Sequence, residues 1–274
     1  MLSWIKKNAL LAYFLLAFAI SWIFMIPVAL SAQGLLEQPI PYALYYLAPM
    51  GPMISAIIIS AVTEGREGLR HQFRGLTKWR VGFKYIAFSV FAPVTLFILA
   101  VLLEWILGGK WPEWNLLGQV DYLPYLGIPG VLGLWFLTFG LGEEMGWRGF
   151  ALPRLQRGRT ALSATLILGL LWGLWHLPAF FFRNTYMEMG GLGFPMFLVS
   201  IIFASVVFTW LYNSTEGSVL MAILFHLFFD WLSVSEAGGE YAPIIMNAAV
   251  IAWALFVTRR YSTETLSPLA KQIV

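Results

Sequence analysis

Residues 9–32 read ALLAYFLLAFAISWIFMIPVALSA, a run with no charged side chain, long enough to cross a bilayer. Lys6 and Lys7 stand just before it. A signal peptide is the competing reading. The run is longer than a usual signal h-region and no small-x-small cleavage site follows it, so a retained helix is expected. Further apolar runs follow at about 42–62, 85–107, 125–143, 160–182, 195–211, 218–234 and 243–257. The 274-residue chain is 59% hydrophobic and 11% charged, with a mean hydropathy of +0.76. A soluble domain is about half apolar and about a quarter charged. The expected fold is therefore an all-α polytopic membrane protein of about eight transmembrane helices. It is read as one transmembrane domain over 1–274, with its motif-bearing core at about 124–236.

Basic residues orient these helices. With the N-terminus in the cytoplasm, Lys6, Lys7, the cluster at 66–84, the cluster at 148–159, Arg259, Arg260 and Lys271 share one side, while Lys110 and Arg183 fall on the other. The positive-inside rule then places both termini in the cytoplasm. In a prokaryote this is a multi-pass protein of the cytoplasmic membrane. The stretch holding Arg66, Arg70, Arg74, Lys78 and Arg80 reads as a solvated loop or surface helix that attracts anionic lipid head groups. His71, within it, reads as a surface histidine. Lipid is the expected environment, and no nucleic-acid partner is expected. No cysteine is present, which excludes disulfides, thiolate ligands and a cysteine nucleophile.

Three charged residues fall within six positions at the end of an apolar run, in Gly142-Glu143-Glu144-Met145-Gly146-Trp147-Arg148-Gly149. On a helix Glu144 and Arg148 share a face. Glu143 lies about 100° round from Glu144, so the two carboxylates meet different neighbours. Carboxylates are costly to hold near hydrocarbon and mark functional sites by default. Folding adjacent helices back on their turns gives each polar residue a depth. A hairpin turning at Gly158, its first helix interrupted at Pro153, sets Glu143 opposite Gly173, one turn from His176. A second hairpin turning near 214–217 sets His226 about 15 Å in and Asp230 one turn deeper, on the same face.

Glu143, Glu144, Arg148, His176, His226 and Asp230 thus fall in one layer. Each has a bland reading alone: Arg148 as a snorkelling anchor, a histidine as a helix–helix hydrogen-bonding group, Asp230 as a partner of His226. Their convergence favours a functional site. Gly169 and Gly173 form a small-xxx-small pair for close packing, and Gly142, Gly146 and Gly149 do the same around the acids. Trp172, four residues before His176, reads as packing or as a shield that keeps lipid and water from the histidine.

A buried glutamate beside a histidine can activate water, and a histidine can also donate a hydrogen bond to the oxyanion formed when a peptide carbonyl is attacked. The sequence has no Gly-x-Ser-x-Gly elbow and no His-Glu-x-x-His zinc motif. An aspartate dyad lacks its second member, since Asp121 belongs to an outer connection. Glu143, His176 and His226 remain an alternative zinc set with one position open to water.

Three motifs carry a resemblance. Glu143-Glu144-Met145-Gly146-Trp147-Arg148 matches Glu-Glu-x-x-x-Arg. Trp172-Gly173-Leu174-Trp175-His176 matches Phe-x-x-x-His with Trp for Phe. His226-Leu227-Phe228-Phe229-Asp230 matches His-x-x-x-Asn with Asp for Asn. In order and spacing they resemble the CAAX prenyl protease and bacteriocin-processing family of intramembrane proteases, related to Ras-converting enzyme. The resemblance implies a metal-independent glutamic endopeptidase without a cofactor, acting on a membrane-associated or lipidated peptide. It implies that Glu143 and His176 activate the water, that His226 and residue 230 stabilise the oxyanion, and that Glu144, Arg148 and Trp172 support them. An ionised aspartate has no hydrogen to donate, so Asp230 either is protonated or instead orients His226. The competing readings are a bacteriocin-immunity or scaffold protein and, ranked last for want of an internal repeat, a proton-coupled transporter.

Overall fold

The computed structural model describes residues 2–108, 111–119, 126–239 and 241–274. The expected outer positions Lys110 and Asp121, and the start of the fourth run at Tyr125, lie outside the described residues. Among the described residues the regular structure is helical, without a strand. Eight helices correspond to the eight apolar runs. They are α1 (Ala9–Ala32), α2 (Met50–Thr77), α3 (Phe83–Gly108), a composite α4 over 127–156, α5 (Ala161–Trp175), α6 (Gly193–Ser214), α7 (Val219–Ser233) and α8 (Tyr241–Arg260). Among the described residues, six helical segments are long and apolar enough to cross a membrane: Ala9–Ala32, Tyr42–Thr77, Phe83–Gly108, Ala161–Phe181, Gly190–Ser214 and Tyr241–Arg260. The other two are α7, which has 15 residues, and α4, which changes its winding along its length.

Helix α4 is the axis of the fold. It packs against α2 on one side and α7 on the other, while α5 pairs with α6 and α8 closes the bundle against α3 and α6. It begins as an α-helix over Gly127–Trp135 and widens to a π-helix over Phe136–Glu143. It tightens for Glu144–Gly146, then widens again over Trp147–Ala151. Such π turns are frequent at functional sites. The expected break at Pro153 does not occur. Backbone angles stay right-handed helical through Ala151 and Leu152, and the helix runs to Gln156. A proline lacks the N–H that would bond the preceding turn, and its ring crowds the carbonyl four residues back. The wide turn just before Pro153 contains that carbonyl, at Gly149, and relieves both conflicts. Every residue from 142 to 153 is buried.

The glycines of α4 set how closely α2 approaches. A Cβ on Gly146 would lie 2.4 Å from the Cβ of Pro52 and 2.6 Å from the hydroxyl of Tyr13, and one on Gly142 would lie 2.5 Å from the carbonyl oxygen of Pro49. Gly146→Ala is expected to cost about 1–3 kcal/mol through overpacking. An unchanged thermal unfolding midpoint in detergent would show that α2 yields freely at this contact. Gly169 and Gly173 face Ser205 and Leu198 of α6, as their spacing suggested.

The turn at 157–159 contains Gly158, and Thr160 then caps α5 by accepting a bond from the Ser163 N–H at 3.1 Å. Ser218 does the same for α7 through Met221 N–H. The C-terminal tail ties the two hairpins together. Asn213 donates to the Thr265 carbonyl and Gln156 to the Gln272 carbonyl, each at 2.8 Å, while Ala161 N–H donates to the Glu264 carbonyl. Helix α2 bends at Gly65, whose φ of 62° only glycine adopts readily. Beyond the bend it carries exposed Arg66, Arg70 and Arg74 as a surface helix. His71 is half-buried there rather than a free surface side chain. Arg148 and Arg183 are both buried.

Candidate active site

Glu143 closes the first π-helical segment of α4, with 1% of its surface exposed. Its Oε2 accepts the indole N–H of Trp172 at 2.7 Å and that of Trp147 at 3.3 Å. Its Oε1 accepts no hydrogen bond among the described residues. One oxygen is therefore pinned and the other is left for a small donor.

His176 caps the C-terminal end of α5. Its Nδ1 lies 2.8 Å from the Trp172 carbonyl oxygen. A carbonyl only accepts, so Nδ1 carries the hydrogen and Nε2 is the bare acceptor of the neutral ring. The edges of Trp175 and Phe197 hold the ring, with centroids at 4.7 and 5.1 Å. Trp172 thus serves both groups, its indole fixing Glu143 and its carbonyl fixing His176.

Across the same indole lies the second half of the site. Arg148 has no exposed surface, and its guanidinium carbon sits 4.2 Å from the Trp172 ring centre and 4.0 Å from that of Phe208. It donates to Glu144 Oε1 at 2.8 Å. His226 Nδ1 meets the same oxygen, also at 2.8 Å, and its Nε2 lies 3.2 Å from Asp230 Oδ2. The acid pair therefore diverges as helical geometry requires. Glu143 turns to two indoles and Glu144 to an arginine and a histidine. A pinned acid, an oriented histidine and a second histidine held between carboxylates form a layer suited to attack by water on a carbonyl.

Residues 125–232, which span this layer, match the family model described as type II CAAX prenyl endopeptidase, Rce1-like. Over this stretch the chain resembles the Rce1-like family. Over 240 residues it is 27% identical to CAAX prenyl protease 2 of Methanococcus maripaludis, an alignment covering 84% of this chain and 85% of that protein. The chain is accordingly an intramembrane peptidase, an integral multi-pass protein in a lipid environment that acts on a peptide.

This site brings together all seven residues singled out from the sequence. It adds Trp147 and Phe208, which sequence reasoning missed. Trp147 was detectable, since it lies four residues after Glu143 and so above it on the helix. Phe208 had no signal beyond being one of 22 phenylalanines. Trp172 hydrogen-bonds the acid and stacks on Arg148, beyond the shielding its spacing suggested. Among the described residues, no three His, Asp or Glu side chains gather as metal ligands. Both nitrogens of His226 face carboxylates, those of Glu144 and Asp230.

Proposed function

We propose that this Rce1-like protease hydrolyses a peptide bond in a membrane-tethered, prenylated CAAX-type chain, using a water activated by Glu143 and His176. The reading rests on one observation. Two indoles hold Glu143 through Oε2 while Oε1 takes no donor among the described residues, and His176, bonded to the carbonyl of the same Trp172, presents Nε2 as the acceptor of its neutral ring. A water placed between Oε1 and Nε2 would give two hydrogens to two acceptors and aim its lone pair at a carbonyl. As the water oxygen bonds to that carbon, its proton passes to Glu143, and the carbonyl becomes an oxyanion that His226 meets through Nε2. Collapse breaks the C–N bond, Glu143 returns the proton to the departing nitrogen, and a carboxylate and an amine result. Glu144 and Arg148 hold His226 in place.

The prenylated substrate class is supported by the family match and by the relative's being a CAAX prenyl protease. In this reading the whole of 1–274 is one protease domain with its core at about 124–236. Both termini are cytoplasmic, so the site is reached from the cytoplasmic side. The test is to offer purified protein in nanodiscs a farnesylated CAAX peptide and its unprenylated twin, with and without a strong chelator, and to weigh the products. Cleavage of the prenylated peptide alone, unaffected by chelation, is expected. Failure to cleave either peptide, or loss of cleavage on chelation with recovery on adding zinc, would overturn the proposal.

A further inference from the structure

His226 has no N–H to spare. An imidazole carries at most two N–H groups, one on each ring nitrogen. Nδ1 is committed to Glu144 Oε1, which also binds Arg148. Glu144 and Arg148 side chains have no exposed surface, so this end of the ring cannot turn away. Nε2 is committed to Asp230 Oδ2 at 3.2 Å. A hydrolytic site needs a donor for the oxyanion, yet the indoles of Trp147 and Trp172 are already bound to Glu143. The one member of this network able to move is Asp230. Its side chain is 36% exposed against 5% for His226, and this ion-pair contact is its side chain's one polar contact with the protein among the described residues. It stands four residues along the same helix, so a rotation about its Cα–Cβ bond takes the carboxylate off Nε2 without disturbing α7.

We propose that Asp230 is a placeholder for the oxyanion: its carboxylate oxygen occupies, on Nε2 of His226, the position that the negative oxygen of the tetrahedral intermediate takes, and the site becomes competent when Asp230 turns outward. This rests on the hydrolytic reading above and sharpens it, since it identifies which atom meets the developing charge and what must leave first. An ionised carboxylate and an oxyanion cannot share one donor, because two like charges about 3 Å apart repel strongly. Asp230 is then a positioning residue that governs access to His226, and it contributes no hydrogen bond of its own to the intermediate.

The experiment uses two analogues of the prenylated peptide. One carries a phosphinate, a tetrahedral anion, in place of the scissile amide. The other carries a neutral hydroxyethylene of the same shape. Binding is measured in nanodiscs for the natural chain, Asp230→Asn and Asp230→Ala. The placeholder requires the phosphinate to bind about tenfold or more tighter in both variants, since a like charge is removed from its site. The hydroxyethylene should change by less than about twofold, and kcat should rise with little change in KM. Equal phosphinate affinity in all three proteins would overturn the proposal, and so would weaker binding in the variants, which would make the Asp230 carboxyl the oxyanion's own partner. Phosphinate binding by none of the three would defeat the hydrolytic reading and the placeholder with it. Cleavage that depends on Glu143, together with equal phosphinate affinities, would defeat the placeholder alone.

Discussion

Glu143→Gln is expected to lower kcat by about 10²–10⁴ while leaving the fold intact, the range set by loss of a general base. The substitution is close to isosteric, and the surroundings of the carboxylate explain why it should be structurally silent. Oε2 is an acceptor for two indole N–H groups, which can only donate. A glutamine amide turned with its oxygen towards Trp147 and Trp172 satisfies both. Its NH2 then occupies the position of Oε1, where a donor replaces an acceptor and no proton can be taken from water. KM should move little, because the substrate makes no new contact with the amide. Trp172→Phe should fall between the two forms. It removes the shorter of the two indole bonds, at 2.7 Å, yet keeps an aromatic face beside Arg148. Single-turnover cleavage of the prenylated peptide, with thermal unfolding measured on the same samples, separates rate from stability. A Glu143→Gln protein cleaving at more than about a tenth of the natural rate would remove Glu143 from the role of base, since that leaves less than the expected general-base effect.

The parts of this architecture that follow from short-range rules were legible in the sequence. The uncharged run at 9–32 became α1 with the same ends, because a span of that length and composition has no other stable form in hydrocarbon. The i,i+4 pairs Glu144–Arg148 and His226–Asp230 are contacts in the fold for the reason their spacing suggested, since residues four apart stack on one helix face. Hairpin arithmetic placed Glu143 opposite Gly173, and the structure bonds it to Trp172, one residue away.

What escaped the sequence depends on three bodies at once. The close approach of Pro49 and Pro52 to Gly142 and Gly146 is recorded by no local pattern in α4. The bond between Glu144 and His226 joins residues 82 apart, and it decides which way the second histidine faces. The aromatic sandwich around Arg148 draws Trp172 from α5 and Phe208 from α6 onto a side chain of α4. Read from the sequence, Arg148 had a bland account as a membrane-surface anchor. Its complete burial reverses that account, because a snorkelling arginine keeps its head in water.

That burial makes Arg148→Met the most damaging substitution expected for stability, at about 3–5 kcal/mol, the cost of breaking a buried ion pair from one side. Removing the guanidinium leaves the Glu144 carboxylate in the interior with His226 as its one remaining partner, and its Oε2 already lacks a donor among the described residues. The two ring faces lose their cation as well, an interaction of about 0.5–2 kcal/mol for each ring in a desolvated setting. Arg148→Lys keeps the charge, but a compact ammonium cannot lie flat between Trp172 and Phe208 while reaching Oε1, so it should recover only part of the loss. The decisive comparison is the double substitution Glu144→Gln with Arg148→Met. With both charges gone, no uncompensated ion is buried, and stability should return most of the way to that of the natural chain. Activity should not return, because His226 Nδ1 then faces a neutral amide in place of the carboxylate that fixed the ring. Thermal unfolding followed by tryptophan fluorescence, with the cleavage rate measured alongside, reads both quantities. If the double variant were as unstable as Arg148→Met alone, the loss would lie in the packing of the arginine stem and its two aromatic faces, and the ion pair would be incidental to the fold.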